Sequence, residues 1–243
     1  MKLQGKVAVI TGGSMGIGEA IAKLFLAEGA KLVLCARDVG RVEAATQRIG
    51  ATSDQVLTLA CDVSRRDQVQ ALAQAALRQF SQIDIWVNNA GFGLNDSIEK
   101  MDLNQLRTMF DTNYFGVMEC MQAAIPIMRQ QGGGEIVNIS SVAGHICVAY
   151  MSGYGATKHA LNALGEAGRM ELSRHNINVL TVCPGYIATD HSRSAAGSQD
   201  LVDQAGSGGL ATRSCNADNT SRTSQKKEGN FHLDTCAVLL SQQ

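Results

Sequence analysis

The feature that most constrains this chain is a rhythm. From the N-terminus to about residue 190, short apolar, β-branched runs alternate with longer amphipathic stretches. The runs lie at 7–11, 31–36, 56–61, 85–88, 135–140 and 178–183, and each is nearly continuous in apolar character. A strand with one wet face would alternate apolar and polar residues. Continuous runs suit a parallel sheet covered by helices on both faces. Between them, 18–28, 41–49, 66–80, 103–129 and 152–175 carry the helical period. This repeat predicts an α/β fold with a single doubly wound parallel sheet. Right-handed crossovers narrow the topology, and a strand order of 3-2-1-4-5-6 is expected, with ligands bound beyond the carboxyl ends of the strands.

A chain of 243 residues, 45% of them hydrophobic, has the material for one large domain of this kind. Its net charge of −1 gives no electrostatic case for nucleic acid or an acidic membrane. No run resembles a secretory leader or the ~20 apolar residues of a membrane span. The cysteines (Cys35, Cys61, Cys120, Cys147, Cys183, Cys215 and Cys236) form no C-x-x-C and no zinc spacing with histidine, so no metal is expected. Several sit in apolar runs, where a reduced thiol packs as a small hydrophobe. Their odd number and the lack of a leader point to a reducing cytoplasm. From His191 to Gln243 there is no Ile, Met, Trp or Tyr and one aromatic, Phe231. Such a composition buries too little apolar surface to offset ordering entropy. Residues 191–243 are therefore expected to form an atypical, Ser/Gly-rich and largely irregular tail. Only 236–240 offer material for a seventh strand or a helical turn.

The chemistry is concentrated at the ends of the apolar runs. Thr11-Gly12-Gly13-Ser14-Met15-Gly16-Ile17-Gly18 closes the first run and opens the first helix. Glycines there permit a tight turn and let backbone amides approach a pyrophosphate at the helix N-terminus, so Gly12, Ser14, Gly16, Ile17 and Gly18 are candidate cofactor contacts. Residues 1–190 thus read as a dinucleotide-binding domain. The second run ends Leu34-Cys35-Ala36-Arg37-Asp38, with Ala36 where an NAD reader usually places a carboxylate. Arg37, helped by Arg41, suits a 2′-phosphate instead, so NADP(H) is expected over NAD(H). The bland reading is an Arg37–Asp38 pair in a solvated loop. Tyr154 and Lys158 stand four residues apart, on one helical face, with Ser141 upstream. A cation beside a phenol favours the phenolate and draws its pKa toward the working range. By itself Tyr-x-x-x-Lys is a short pattern that an ordinary surface helix also supplies.

In order along the chain stand Thr11-Gly12-x-x-x-Gly16-x-Gly18, Asp62-Val63, Asn88-Asn89-Ala90-Gly91, Asn113, Ser141, Tyr154-x-x-x-Lys158 and Pro184-Gly185. With these motifs the chain resembles a short-chain dehydrogenase/reductase of the classical type over residues 1 to about 190. The resemblance implies a Rossmann-type catalytic domain and an NADP(H)-dependent oxidoreductase that interconverts a ketone or aldehyde and an alcohol. It implies that Asp62 and Val63 hold the adenine, that Asn89, Ala90 and Gly91 line the ribose, and that Asn113 shapes the site and orders a water. Ser141, rather than Ser140, would hydrogen-bond the substrate oxygen, and Tyr154 would serve as acid/base. Lys158 would lower the tyrosine pKa and, with Tyr154, contact the cofactor. Pro184, Gly185, Ile187 and Thr189 would form the loop over the nicotinamide. The segments 103–129 and 152–175 would form the surface of a homodimer or homotetramer. After Pro184-Gly185 the usual substrate loop, further helix and last strand are not recognisable. That departure leaves an alternative: a nucleotide-binding protein with little or no turnover, its substrate lid lost. Trp86 is expected in the core, 132–134 as a helix-ending turn, and His145 as a solvated loop histidine.

Overall fold

The computed structural model describes residues 1–185 and the backbone of residues 196–197. Six strands, β1 (Val7–Thr11), β2 (Lys31–Ala36), β3 (Val56–Ala60), β4 (Ile85–Asn88), β6 (Gly134–Ile139) and β7 (Ile177–Val182), form one sheet. Its order is β3-β2-β1-β4-β6-β7, and every pairing in it is parallel. Counted over these six strands, the order is the 3-2-1-4-5-6 read from the sequence. Two-residue strands β5 (Leu94–Asn95) and β8 (Ala196–Gly197) pair separately. β5 is too short to leave a periodic signal, and β8 falls inside the stretch expected to be irregular. Ile187, Thr189, Cys215, Cys236 and the strand considered at 236–240 lie outside the described residues.

Continuous apolar runs became strands because both faces of the sheet are covered. Val9, Val33, Trp86, Ile136 and Val179 join one core with residues of α3 (Arg66–Phe80), α5 (Gly116–Gln131) and α6 (Ser152–Leu172). Their strand neighbours Ala8, Ile10, Leu32, Leu34, Val87 and Val137 join the other with α1 (Gly16–Ala27) and α2 (Val39–Arg48). Each fully buried aliphatic side chain contributes roughly 1.5–3 kcal/mol. Cys35, Cys61 and Cys120 are buried free thiols within the first core, packing as small hydrophobes. Among the described residues no helix is long and apolar enough to cross a membrane.

Helix boundaries follow local chemistry. The Asp38 carboxylate accepts from the Arg41 N–H and caps α2, which therefore starts two residues before the expected 41. Gly132, at φ 88°, ends α5 in the left-handed region, as the glycine run predicted. The expected continuous helix over 103–129 is divided. A single π-helical turn, Asp111–Phe115, separates α4 (Leu103–Phe110) from α5, and the Gly116 N–H reaches back to the Asp111 carbonyl. The extra residue turns Asn113 inward, to 1% exposure. It also lays Gly116 directly on Val63, where a Cβ would come within 2.8 Å of Val63 Cγ2.

β1 and β4 are sheet neighbours where the strand order reverses, and a crevice opens at their carboxyl ends. Thr11 closes its floor. Its hydroxyl accepts from the backbone N–H groups of Asn89 (3.0 Å) and Ala90 (3.1 Å) and donates to the Val87 carbonyl (3.3 Å). Asn89 Nδ2 returns two bonds, to the carbonyls of Thr11 and Gly12, both at 3.0 Å. Thr11→Val keeps the shape but strands two N–H groups, and we expect a loss of about 2 kcal/mol in urea unfolding. Thr11→Ser should retain most of it. Equal stabilities for the Val and Ser variants would contradict this account.

Candidate active site

A cavity of about 600 Å³ runs along the carboxyl ends of the strands, within the size range of small-molecule sites. Gly12, Ser14, Gly16, Ile17, Arg37, Asp62, Val63, Asn89, Ala90, Gly91, Ser141, Tyr154, Lys158, Pro184 and Gly185 all line it. Most of the predicted site residues, drawn from more than 170 residues of chain, thus share one space. Gly18 and Asn113 stand just behind its wall.

At one end the glycine loop is held in an unusual shape. Gly12 (φ 65°) and Gly16 (φ 56°) occupy the left-handed region that glycine alone adopts without strain. Gly18 has no room for a side chain: a Cβ there would collide with the Gly12 carbonyl and lie 2.5 Å from Asn89 Nδ2. Asn89, predicted to line a ribose, therefore works first as a clamp on this loop. Arg48, which the sequence reading passed over, reaches from α2 to the Ser14 carbonyl (Nη2, 3.1 Å) while ion-paired with Glu19 at 2.8 Å. No short-range signal marked it, because Arg48 and Ser14 are brought together by packing of α2 beside α1.

At the end of β2 the Arg37–Asp38 pair considered from sequence does not form among the described residues. The Asp38 carboxylate is engaged in capping, and neither Arg37 nor Arg41 joins an ion pair there. Both arginines line the cavity beside Ala36. Asp62 holds Ser64 in a tight turn, its Oδ1 accepting from the Ser64 N–H and hydroxyl.

The other end is built on α6 and the loop after β6. Ser141 caps a short 3-10 turn, Val142–Gly144, by accepting from the Ala143 N–H at 3.2 Å, and its own O–H is directed to the Tyr154 phenol. Ser140 is committed elsewhere. It is buried, and its hydroxyl donates to Asn162 Oδ1 at 2.6 Å. Asn113 Oδ1 accepts from the Phe92 N–H (3.0 Å), and its Nδ2 donates to the Phe92 carbonyl (2.8 Å) and Thr157 Oγ1 (3.2 Å). With both Nδ2 hydrogens engaged, the side chain ties three segments together, and only its acceptor groups remain for a water. Tyr150, held at φ 65°, hooks its carbonyl to the Asp96 N–H and brings Val148 and Met151 to the cavity wall.

Lys158 is 7% exposed, donates to the Ile139 carbonyl at 2.9 Å, and sits 5.6 Å from the centroid of the Tyr154 ring. Burial pushes its pKa down to about 8. Tyr154 moves the opposite way from expectation: burial raises its pKa, with the Ser141 hydroxyl pulling against it. The cation faces the ring rather than the phenol oxygen, so desolvation of the phenolate dominates. An ammonium carries three donors, and Ile139 accepts one. The remaining donors of a nearly buried cation, beside a glycine cradle, fit the hydroxyl groups of a bound ribose.

The family model described as short chain dehydrogenase matches residues 6–200. An uncharacterized oxidoreductase of Staphylococcus saprophyticus is 38% identical over 201 residues, covering 81% of both chains. The crystal structure of levodione reductase aligns with a TM-score of 0.76 at 34% identity, over 79% of this chain and 76% of that one. A short chain dehydrogenase/reductase from Burkholderia phymatum in complex with NAD aligns with a TM-score of 0.78 at 31% identity, over 85% and 79%. With glycine loop, Ser141, Tyr154 and Lys158 gathered on one cavity of one doubly wound sheet, the chain belongs to the short chain dehydrogenase family, whose members are oxidoreductases using a nicotinamide cofactor.

Proposed function

We propose that this protein is an NADP(H)-dependent oxidoreductase that interconverts a ketone or aldehyde and an alcohol, with Tyr154 as acid/base. The observation that carries the reading is the shared cavity: a phosphate-type glycine cradle at one end, a Ser-Tyr-Lys constellation at the other. Gly12, Gly16 and Ile17 would hold the pyrophosphate, Asp62 and Val63 the adenine, and Lys158 the ribose beside the nicotinamide. When bound, the nicotinamide supplies or takes up the hydride. Ser141 turns its O–H from the Tyr154 phenol to the substrate oxygen and fixes it beside Tyr154. The Tyr154 phenol, kept protonated by burial, delivers its proton to that oxygen as the carbonyl is reduced, and recovers it in the reverse direction. Lys158, with a pKa of about 8, lies close enough to neutrality to exchange a proton through the site. Asn113 is a positioning residue that holds Phe92 and Thr157 against the pocket. Val142, Val148, Met151 and Phe92 supply an apolar wall for the rest of the substrate.

Arg37 and Arg41, with Ala36 in place of an acid, support NADP(H) over NAD(H). The protein from Burkholderia phymatum is seen with NAD, so the preference rests on this chain's own residues. Exposed Leu103, Phe115 and Met170 on α4, the π-helical turn and α6 support assembly into a homodimer or homotetramer through those helices.

Three outcomes are expected. Tyr154→Phe should lower NADPH oxidation by at least about 100-fold over a carbonyl panel, with NADPH affinity by fluorescence titration unchanged. An unaltered rate would remove Tyr154 from its role, and binding without oxidation in the unmodified protein would favour a nucleotide-binding function alone. Arg37→Ala should weaken NADPH binding roughly tenfold and leave NADH binding nearly unchanged. Tighter binding of NADH than NADPH by the unmodified protein would overturn the cofactor assignment. Finally, Lys158 is an ammonium below pH about 8 and an amine above it. Cofactor affinity should therefore fall above pH 8, by up to about tenfold per pH unit, and Lys158→Met should flatten that profile.

A further inference from the structure

A second cavity, of about 240 Å³, lies between α6 and β7, outside the site described above. His145, Asn162, Glu166, Arg169, Thr181 and Cys183 contribute to its lining. His145 is exposed, as expected of a loop histidine, and its Nε2 also lies 3.3 Å from Cys183 Sγ and 3.2 Å from Asn162 Nδ2.

The surrounding bonds settle which ring nitrogen holds the proton. Asn162 Nδ2 faces the Gly144 carbonyl at 2.9 Å, and a carbonyl can only accept, so that corner of the amide is the NH₂. The Ser140 hydroxyl, donating to Oδ1, fixes the opposite corner. The same NH₂ meets His145 Nε2, which must then present a lone pair and leave the proton on Nδ1. A neutral His145 with Nε2 unprotonated can take the Cys183 thiol proton when that lone pair exchanges the Asn162 N–H for it, the thiol otherwise facing Asn162 Oδ1 at 3.8 Å. Burial raises the pKa of that thiol, against the pull of Ser140, Ser141 and Lys158, which lowers its thiolate fraction and gives a neighbouring base something to offset.

We infer that Cys183 is a modification site, activated by His145, that takes one half of a zwitterionic disulfide of the glutathione type into this cavity, the other half lying outside as the leaving group. Cys183 Sγ attacks one sulfur of the disulfide, and a new S–S bond forms as the old one breaks. The thiol proton passes to His145 Nε2 and then to the departing thiolate. Cys183 is oxidised and the released half is reduced to a thiol. Glu166 and Arg169, one turn apart on α6 and both exposed, offer a partner for the ammonium and for a carboxylate of such a ligand. Cys183 directly precedes Pro184, whose carbonyl accepts from the Val142 N–H next to Ser141. An adduct there therefore loads the loop that carries Ser141.

The test treats the full-length protein with glutathione disulfide and follows each cysteine by peptide mass mapping. Cys147 is exposed and serves as the internal reference. Cys183 is expected to react first, and His145→Gln to slow it about tenfold or more while Cys147 keeps its rate. Arg169→Glu, at an exposed position, should slow the reaction with glutathione disulfide and not with neutral hydroxyethyl disulfide. It keeps the test decisive should a thermal melt show His145→Gln to be unfolded. Faster modification of Cys147, an unchanged Cys183 rate in a folded His145→Gln, or equal effects of Arg169→Glu on both disulfides would each overturn the inference. None of these readouts depends on cofactor binding or turnover.

Discussion

The junction between β1 and β4 is the constraint on which the rest of this structure depends. Parallel strands need crossovers, and where the order of crossovers reverses, the two adjoining loops are left without a helix between them. Their backbone polar groups must find partners or water. Thr11 and Asn89 provide them, joining segments 76 to 79 residues apart in sequence. The glycine loop and the Asn89–Gly91 segment both hang from this clamp. The tight approach of Gly18 to Gly12 then gives the phosphate cradle its shape. The proposed cofactor cradle and the junction of the sheet share one set of bonds.

A second constraint is the burial of Lys158. Placing an ammonium at 7% exposure is unfavourable, and its pKa of about 8 registers that cost. The position is kept because α6 is anchored along its length. Gly165 lies against Thr181 and Gly168 against Met121 and Val179, so glycines allow the helix to sit close to the sheet. Asn113, on its π-helical turn, bonds Thr157 of the same helix. Tyr154 and Lys158 are thereby held on a rigid element before any ligand arrives, which is how an active site avoids ordering costs at the moment of reaction. The same helix presents Asn162, Glu166 and Arg169 to the second cavity, so α6 lines both.

Much of the architecture was legible beforehand, for a physical reason. A strand buried on both faces must be apolar throughout, and a covering helix must carry an apolar stripe, so both leave local signatures. The runs at 7–11, 31–36 and 85–88 match β1, β2 and β4 to the residue; 56–61 ends one residue beyond β3, and 135–140 and 178–183 lie one residue late at both ends of β6 and β7. The π-helical turn was not legible, because one inserted residue shifts the helical phase without erasing the apolar pattern. Strand β5 escaped notice through its length. Tyr154 shows a different limit. Spacing put a cation on its side of the helix, but the balance between that charge and lost water depends on burial, which spacing does not report.

The sequence by itself determined the doubly wound sheet, the order of its strands and the set of groups available for chemistry, because periodicity and turn residues act over a few positions. Only the tertiary structure decided how those groups are used. It assigned Ser140 to Asn162 and left Ser141 to face Tyr154, gave Asn89 and Asn113 a bracing role that spacing did not show, and set Cys183 against His145. Apart from Ser141 and Tyr154, these pairings join residues 21 to 78 positions apart. Hydrogen-bond partners at such separations are set by strand register and helix packing, and no local pattern in the chain encodes them.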